Sequence, residues 1–282
     1  MKKIKGLFLL MRFELPFSAG VCVVMGQLLA LGEFASFKIT TFGFISVFAI
    51  SASILVSNDY FDIETDKINA PHRPIPANIV SPSEALLLSI ILLLIGFTLS
   101  YIIGIVVLIF SIVLAVIGFL YNRKFKKYGL LGNMLVSFSV GMTFLYGGLT
   151  VELPFNKMVL FFGLIAALID LGEEIAADAM DIKGDLLINS NSLAIKYGRP
   201  TALKISSSIF GSVVLLTLIP FILGWFSPFY FVAIFTMDCF IIYSTYKLLK
   251  SENDEGRKYI RLLYLGATLG LVIFLIMRLI AI

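Results

Sequence analysis

Apolar runs of about 20 residues, divided by short polar stretches, constrain this chain more than any other feature of its sequence. A run of that length spans a bilayer core of about 30 Å as a helix. In lipid, a single hydrophobic segment must satisfy its own backbone hydrogen bonds, so each run reads as α-helix. The pattern predicts nine spans, at 15–32, 41–58, 84–103, 105–121, 131–150, 157–177, 202–223, 228–247 and 261–281, with little more than Gly104 between the third and fourth. Charged residues make up only 14% of the 282, against roughly 25% in a soluble domain, and mean hydropathy is +1.00. The N-terminal hydrophobic stretch is long and no A-x-A-like site follows it, so no cleaved signal peptide is expected. Cys22 and Cys239 both fall inside apolar runs, which predicts buried packing roles and no disulfide framework or thiolate metal site.

Basic residues orient the bundle. With the N-terminus in the cytoplasm, 19 of the 22 Lys and Arg fall on the cytoplasmic side or at its helix ends, and only Lys38, Lys157 and Arg278 lie outside. The C-terminus is then extracytoplasmic. The net charge of +4 reads as topology and gives no support for nucleic-acid binding.

Two acidic clusters stand out, one after the second predicted span and one after the sixth. The first is Asn58-Asp59-Tyr60-Phe61-Asp62-Ile63-Glu64-Thr65-Asp66 and the second is Asp178-Ala179-Met180-Asp181-Ile182-Lys183-Gly184-Asp185. Both read D-x-x-D-I-x-x-D, and each Asp of the second follows its counterpart by 119 residues (178 minus 59). An offset containing four spans returns the chain to the same membrane face in the same direction, which makes a parallel internal repeat. The two acidic loops, 58–82 and 178–200, therefore lie at the cytoplasmic mouth of a single domain covering 1–282.

Spacing of i, i+3 and i+7 puts three carboxylates on one helical face. Their mutual repulsion calls for a cation. Oxygen donors with no His or Cys nearby favour a hard ion such as Mg²⁺, which keeps part of its shell for phosphate oxygens. The plain alternative is a solvated charged face, and identical spacing in a chain so poor in charge argues against it. Near the clusters, Lys67, Arg73, Arg123, Lys124, Lys126 and Lys127 offer phosphate contacts, although positive-inside topology alone accounts for most of them. Deeper in the spans lie Glu14, Asp170, Glu173, Glu174 and Asp238. Glu174 extends the acidic face inward by one turn, Asp238 suits a structural role as well as a functional one, and His72 is the sole histidine.

Asn58-Asp59-x-x-Asp62-x-x-x-Asp66, followed by Ile68-Asn69-x-Pro71-x-Arg73-Pro74-Ile75-Pro76, resembles the signature of the UbiA superfamily of intramembrane prenyltransferases. The second cluster, with Gly184-Asp185 and Ser192-Leu193-Ala194-x-x-Tyr197-Gly198, is similar to that family's second motif. Tyr121-Asn122-x-x-Phe125-Lys126, leading to Gly132-Asn133, resembles a third segment, with Phe125 where Leu is common. The resemblance implies an all-α polytopic bundle of nine transmembrane helices around a central cavity, under cytoplasmic cap loops. It implies a membrane enzyme that transfers a polyprenyl group from its diphosphate to a lipid acceptor, with Mg²⁺ as cofactor. Carried over residue by residue, Asn58, Asp59, Asp62, Asp66, Asp178, Asp181 and Asp185 would be the metal set. Of these, Asp62, Asp66, Asp181 and Asp185 would be catalytic. Arg73, Tyr121 and Lys126, with Lys67 and Arg123 beside them, would contact the diphosphate.

Within the family, the I-N-x-P-x-R-P-I-P wording is most like the enzymes of archaeal ether-lipid synthesis. That implies alkylation of the free hydroxyl of geranylgeranylglyceryl phosphate by geranylgeranyl diphosphate. Leu186-Leu187-Ile188-Asn189-Ser190-Asn191-Ser192 departs from the Lys/Gly-rich run expected there. A phosphorylated acceptor needs cations beyond those serving the donor, and Arg12, Lys124 and Lys127 are candidates. Chlorophyllide or an aromatic quinone precursor is the alternative acceptor. A divalent-cation or secondary transporter is the alternative of another class, though its ion site is expected near the midplane on inverted repeats.

Overall fold

A computed structural model describes residues 2–280. Among them every regular element is helical: α1 (Lys2–Leu10), α2 (Glu14–Leu31), α3 (Phe37–Phe61), α4 (Ile63–Asn69), α5 (Pro82–Ile103), α6 (Ile105–Leu120), α7 (Leu130–Thr150), α8 (Lys157–Asp185), α9 (Leu193–Tyr197), α10 (Arg199–Leu216), α11 (Ile219–Ile222), α12 (Phe231–Leu249) and α13 (Gly256–Ile280). Helix starts follow local chemistry. Ser81 and Glu84 form a reciprocal cap on α5 with Pro82 in its first turn, and the Asn156 side chain accepts from the Met158 N–H to start α8. As expected, α5 and α6 are parted by Gly104 alone.

The expected count of nine differs in one detail. Among the described residues, eight helices are long and apolar enough to cross a membrane by themselves. The sixth expected span is present as the 29-residue α8, but Asp170, Glu173 and Glu174 lower its hydropathy. Its inner half is built to line something polar. The last residue of the ninth expected span, Ala281, lies outside the described residues.

The repeat is visible in the packing. Helix α2 packs on α3 as α7 packs on α8, α3 on α5 as α8 on α10, and α5 on α6 as α10 on α12. Helix α13 closes the arrangement against α12, α2 and α8. The halves meet closely where α2 crosses α7, because a Cβ at Gly147 would collide with the Val23 carbonyl. Apolar side chains of α5 and α6, including Leu94, Ile102, Val106 and Ile109, point outward as lipid-facing surface. Cys22 is buried as expected, whereas Cys239 is on that outer surface, because its side of α12 has no neighbouring helix to cover it.

Hydroxyls stitch α7 of the second half to α3, α5 and α6 of the first, away from the acidic clusters. The Tyr146 hydroxyl lies 2.6 Å from Ser46 and 3.0 Å from Ser100, which accepts from Ser111 at 2.8 Å. Ser46 precedes Asp59 by 13 residues on α3, or about 20 Å at 1.5 Å per residue. Asp238 is buried, with one carboxylate oxygen accepting from Thr217 at 2.9 Å.

Candidate active site

Both acidic motifs reach the same end of the bundle by different local routes. The second runs unbroken along the last turns of α8. The first is divided, since α3 stops at Phe61, Asp62 leaves helical geometry (φ −92°, ψ 12°), and α4 resumes at Ile63. One residue joins them. The Asn69 amide donates to the Asp181 carbonyl at 3.2 Å, and its oxygen accepts from the Gly184 N–H at 2.9 Å. A Cβ at Gly184 would fall on the Asn69 side chain, which is the physical reason for glycine there.

A third element enters between them. The chain after α6 widens into a π-helical turn over Tyr121–Phe125 and tightens into a 3₁₀ turn over Lys126–Tyr128; such turns re-aim side chains. The Tyr121 hydroxyl donates to Glu174 at 2.8 Å, and the Lys126 ammonium pairs with Asp62. Asn122 donates to the Ile54 carbonyl at 2.9 Å and accepts from Asn58 at 3.3 Å, fixing the turn to α3.

Nearly every carboxylate here is held by a cation or an amide. Asp59, only 2% exposed, accepts from Arg12 and, at 3.4 Å, from Arg73. Arg73 donates to both Asp66 oxygens, at 2.7 and 2.6 Å. Asp62 also accepts from Asn58 at 3.0 Å, Asp178 from Asn133 at 2.9 Å, and Asp181 from Arg257 at 2.5 Å. Burial raises the Asp66 carboxyl above the ordinary carboxylate range, against the opposing pull of Arg73. For Arg73 burial works against the charge, yet Asp59 and Asp66 carry its pKa above the usual value. Asp185 differs. It is buried, its carboxylate has no hydrogen bond or ion pair among the described residues, and it lies in the fields of Lys126, Asp181 and Asp62.

The structure thus brings together Asn58, Asp59, Asp62, Asp66, Arg73, Tyr121, Lys126, Asp178, Asp181 and Asp185, with Arg12 at their edge. It leaves others out. Lys67 is exposed and bound to its neighbour Glu64 at 2.6 Å. Arg123, Lys124 and Lys127 make no ion pair among the described residues, because the π and 3₁₀ turns give their inward positions to Tyr121, Asn122 and Lys126. His72 is exposed. Asp59, expected as a metal ligand, is a carboxylate already taken by two arginines.

A family model described as the UbiA prenyltransferase family matches residues 19–277. The chain belongs to the UbiA prenyltransferase family. It is 33% identical over 255 residues to the digeranylgeranylglyceryl phosphate synthase of Methanocaldococcus jannaschii, covering 90% of this chain and 89% of that one. A solved structure of a digeranylgeranylglyceryl phosphate synthase, 33% identical, superposes with a TM-score of 0.69 over 98% of each chain. A UbiA homologue from Archaeoglobus fulgidus, bound to GPP and Mg²⁺, shares the fold at 17% identity with a TM-score of 0.68, over 97% of this chain and 99% of that one.

This UbiA-family chain is therefore a multi-pass membrane prenyltransferase. Its site suits a hard cation in chemistry, with oxygen donors throughout and Asp185 buried without a counter-ion. Among the described residues, no three acidic, His or Cys groups converge as a ready-made metal cage. Asp59, Asp62, Asp66 and Asp181 are paired with Arg12, Arg73, Lys126 and Arg257, so a cation binding at those four would exchange with them.

Two groups of residues escape the sequence reading. Asn133 enters it only as part of a motif and proves to orient Asp178. Arg257 and Arg261 are absorbed into the positive-inside count, yet one binds Asp181 and the other binds Glu14 at 2.9 Å. Their i, i+4 spacing at the start of the last span is the available signal.

Proposed function

We propose that this chain transfers a geranylgeranyl group from geranylgeranyl diphosphate to the free hydroxyl of geranylgeranylglyceryl phosphate, forming an ether bond of an archaeal membrane lipid. The observation carrying this reading is a two-motif acidic site on a chain 33% identical, over 90% of its length, to a protein of that named activity. The allylic C–O bond breaks as diphosphate leaves, the acceptor oxygen bonds to the allylic carbon, and the acceptor's proton is released. Mg²⁺, when bound, supplies neutralisation of the departing diphosphate. Asn58, Asp62, Asp66, Asp178, Asp181 and Asp185 would hold it.

Arg73 and Lys126 pass from their aspartates to phosphate oxygens. Arg73 offers a planar fork and Lys126 a point charge. Asp59 keeps Arg12 and Arg73 aimed at the site. Tyr121, tied to Glu174, closes the inner side, and the apolar helices below exclude water from an allylic cation. The aspartate end faces the cytoplasm in this reading, with the N-terminus on the same side and the C-terminus opposite.

The test is incubation of the purified protein in vesicles with radiolabelled geranylgeranyl diphosphate and a panel of acceptors. Mg²⁺-dependent label in the phosphorylated prenylglycerol is expected. Transfer only to an aromatic acid or a chlorophyllide would overturn the acceptor assignment.

A further inference from the structure

Where α2 and α13 meet, polar side chains form a chain of contacts that serves neither aspartate motif directly. Glu14, at the first turn of α2, accepts from Arg261 at 2.9 Å and from the Tyr264 hydroxyl at 3.3 Å, both on α13. Ser18, one turn deeper on α2, lies 2.6 Å from Thr268. Arg257, one turn before Arg261, reaches Asp181. On the α2 side, Arg12 sits in the tight turn after α1 with φ at +44°, a left-handed conformation that a non-glycine residue adopts at a cost. The strained turn delivers its guanidinium to Asp59.

Arg12, Arg257 and Arg261 are thus gathered at one side of the acidic cluster. Directly below them, Phe13, Phe17, Leu265, Leu269 and Val272 line an apolar groove of about 340 Å³, open to the side. Of the three arginines, only Arg261 is bound to an acid outside both motifs and has a mostly exposed side chain, at 62%. A pair whose cation is mostly in solvent, like Glu14–Arg261, contributes little to stability, so its disposition needs another reason. Glu14 is an anion parked on a cation at the head of an apolar groove. An amphiphile with an anionic head and a hydrocarbon chain complements that arrangement.

We propose that Arg261, with Arg12 and Arg257 beside it, reads the phosphomonoester of the lipid acceptor, which displaces Glu14 while the acceptor's chain lies along the α2–α13 groove. This rests on the acceptor reading above. It moves acceptor recognition from Lys124 and Lys127, on the far loop, to the first turns of α13. Arg73 and Lys126 keep the donor's diphosphate, so the two phosphorylated substrates are held by separate cations.

The experiment is steady-state transfer in phosphatidylcholine vesicles, whose zwitterionic headgroups keep bulk lipid charge out of the comparison, with wild type, Arg261→Gln and Glu14→Gln. Losing one charge-assisted contact made equally before and during reaction raises KM and spares kcat. Arg261→Gln is expected to raise acceptor KM about tenfold and leave donor KM within about twofold. Glu14→Gln removes a competing anion and is expected to lower acceptor KM. Against the dephosphorylated alcohol, all three proteins should perform alike. A merely structural ion pair predicts shifts of the same sign in both variants, and that result, or an unchanged acceptor KM in Arg261→Gln, overturns the proposal. Should wild type itself fail to use the phosphorylated acceptor, the acceptor reading falls as well; if wild type uses it and the variants match wild type, only the inference falls.

Discussion

At the scale of single residues, Arg73 bears two loads. It neutralises Asp59 and Asp66, both buried, and under the proposed function it would pass to phosphate. Removing one partner of a buried pair leaves an uncompensated charge, at a cost of about 3 kcal/mol. Arg73→Ala is therefore expected to lower the thermal melting temperature and abolish transfer together. The double variant Arg73→Ala/Asp66→Asn removes the orphaned charge, and should regain much of the stability while transfer stays lost. A melt in which the double variant is no more stable than the single one would show that Arg73 is not anchored through Asp66. Asp62→Ala and Asp181→Ala separate the loads differently, since each removes one motif carboxylate whose partner, Lys126 or Arg257, keeps contact with solvent. Each should cost at least ~10²-fold in turnover with the protein still folded in membranes. Substantial turnover in either at saturating Mg²⁺ would count against the two-motif site.

Helices and turns carry a different part of the argument. The i, i+3, i+7 acids and the 119-residue offset are legible because helical periodicity and a parallel repeat are written locally. The break at Asp62 is not, since nothing in Phe61-Asp62-Ile63 is a breaker by itself; the α3–α4 kink comes from α4 docking against α8. Arg257–Asp181 spans 76 residues and leaves no local pattern. Lys126 is readable from its motif, while the outward placement of Lys124 and Lys127 is not, because a π-turn followed by a 3₁₀ turn shifts which positions face inward. Asn69 holds the two acidic elements at a fixed separation, and that makes Gly184 a sensitive place. Gly184→Val should push Asn69 aside and lower turnover about 10²-fold, since displacing reacting groups by about 1 Å suffices for that. Helical content by circular dichroism should not change. Wild-type turnover in Gly184→Val would mean that the Asn69 link is incidental.

For the molecule as a whole, α8 decides the topology. Its 29 residues extend about 43 Å at 1.5 Å each, ample for a crossing despite the acids that lower its hydropathy. If it crosses, Lys124 and the C-terminus lie on opposite faces. Labelling of a cysteine placed at 124 and of a C-terminal tag, from one side of sealed vesicles, should then show opposite accessibility. The same accessibility would mean that α8 turns back. The pairing of acids with arginine and lysine across this end of the bundle also bears on the turnover cycle. Under the proposed function, loading the site would be an exchange of partners in which phosphates take the guanidinium and ammonium groups of Arg73 and Lys126 and the carboxylates turn to the metal. Between turnovers these internal pairs would re-form, so that among the motif aspartates only Asp185 would lack a hydrogen-bonding or ion-pair partner among the described residues. The same re-forming pairs would compete with diphosphate for its cations, which would give the leaving product a push outward.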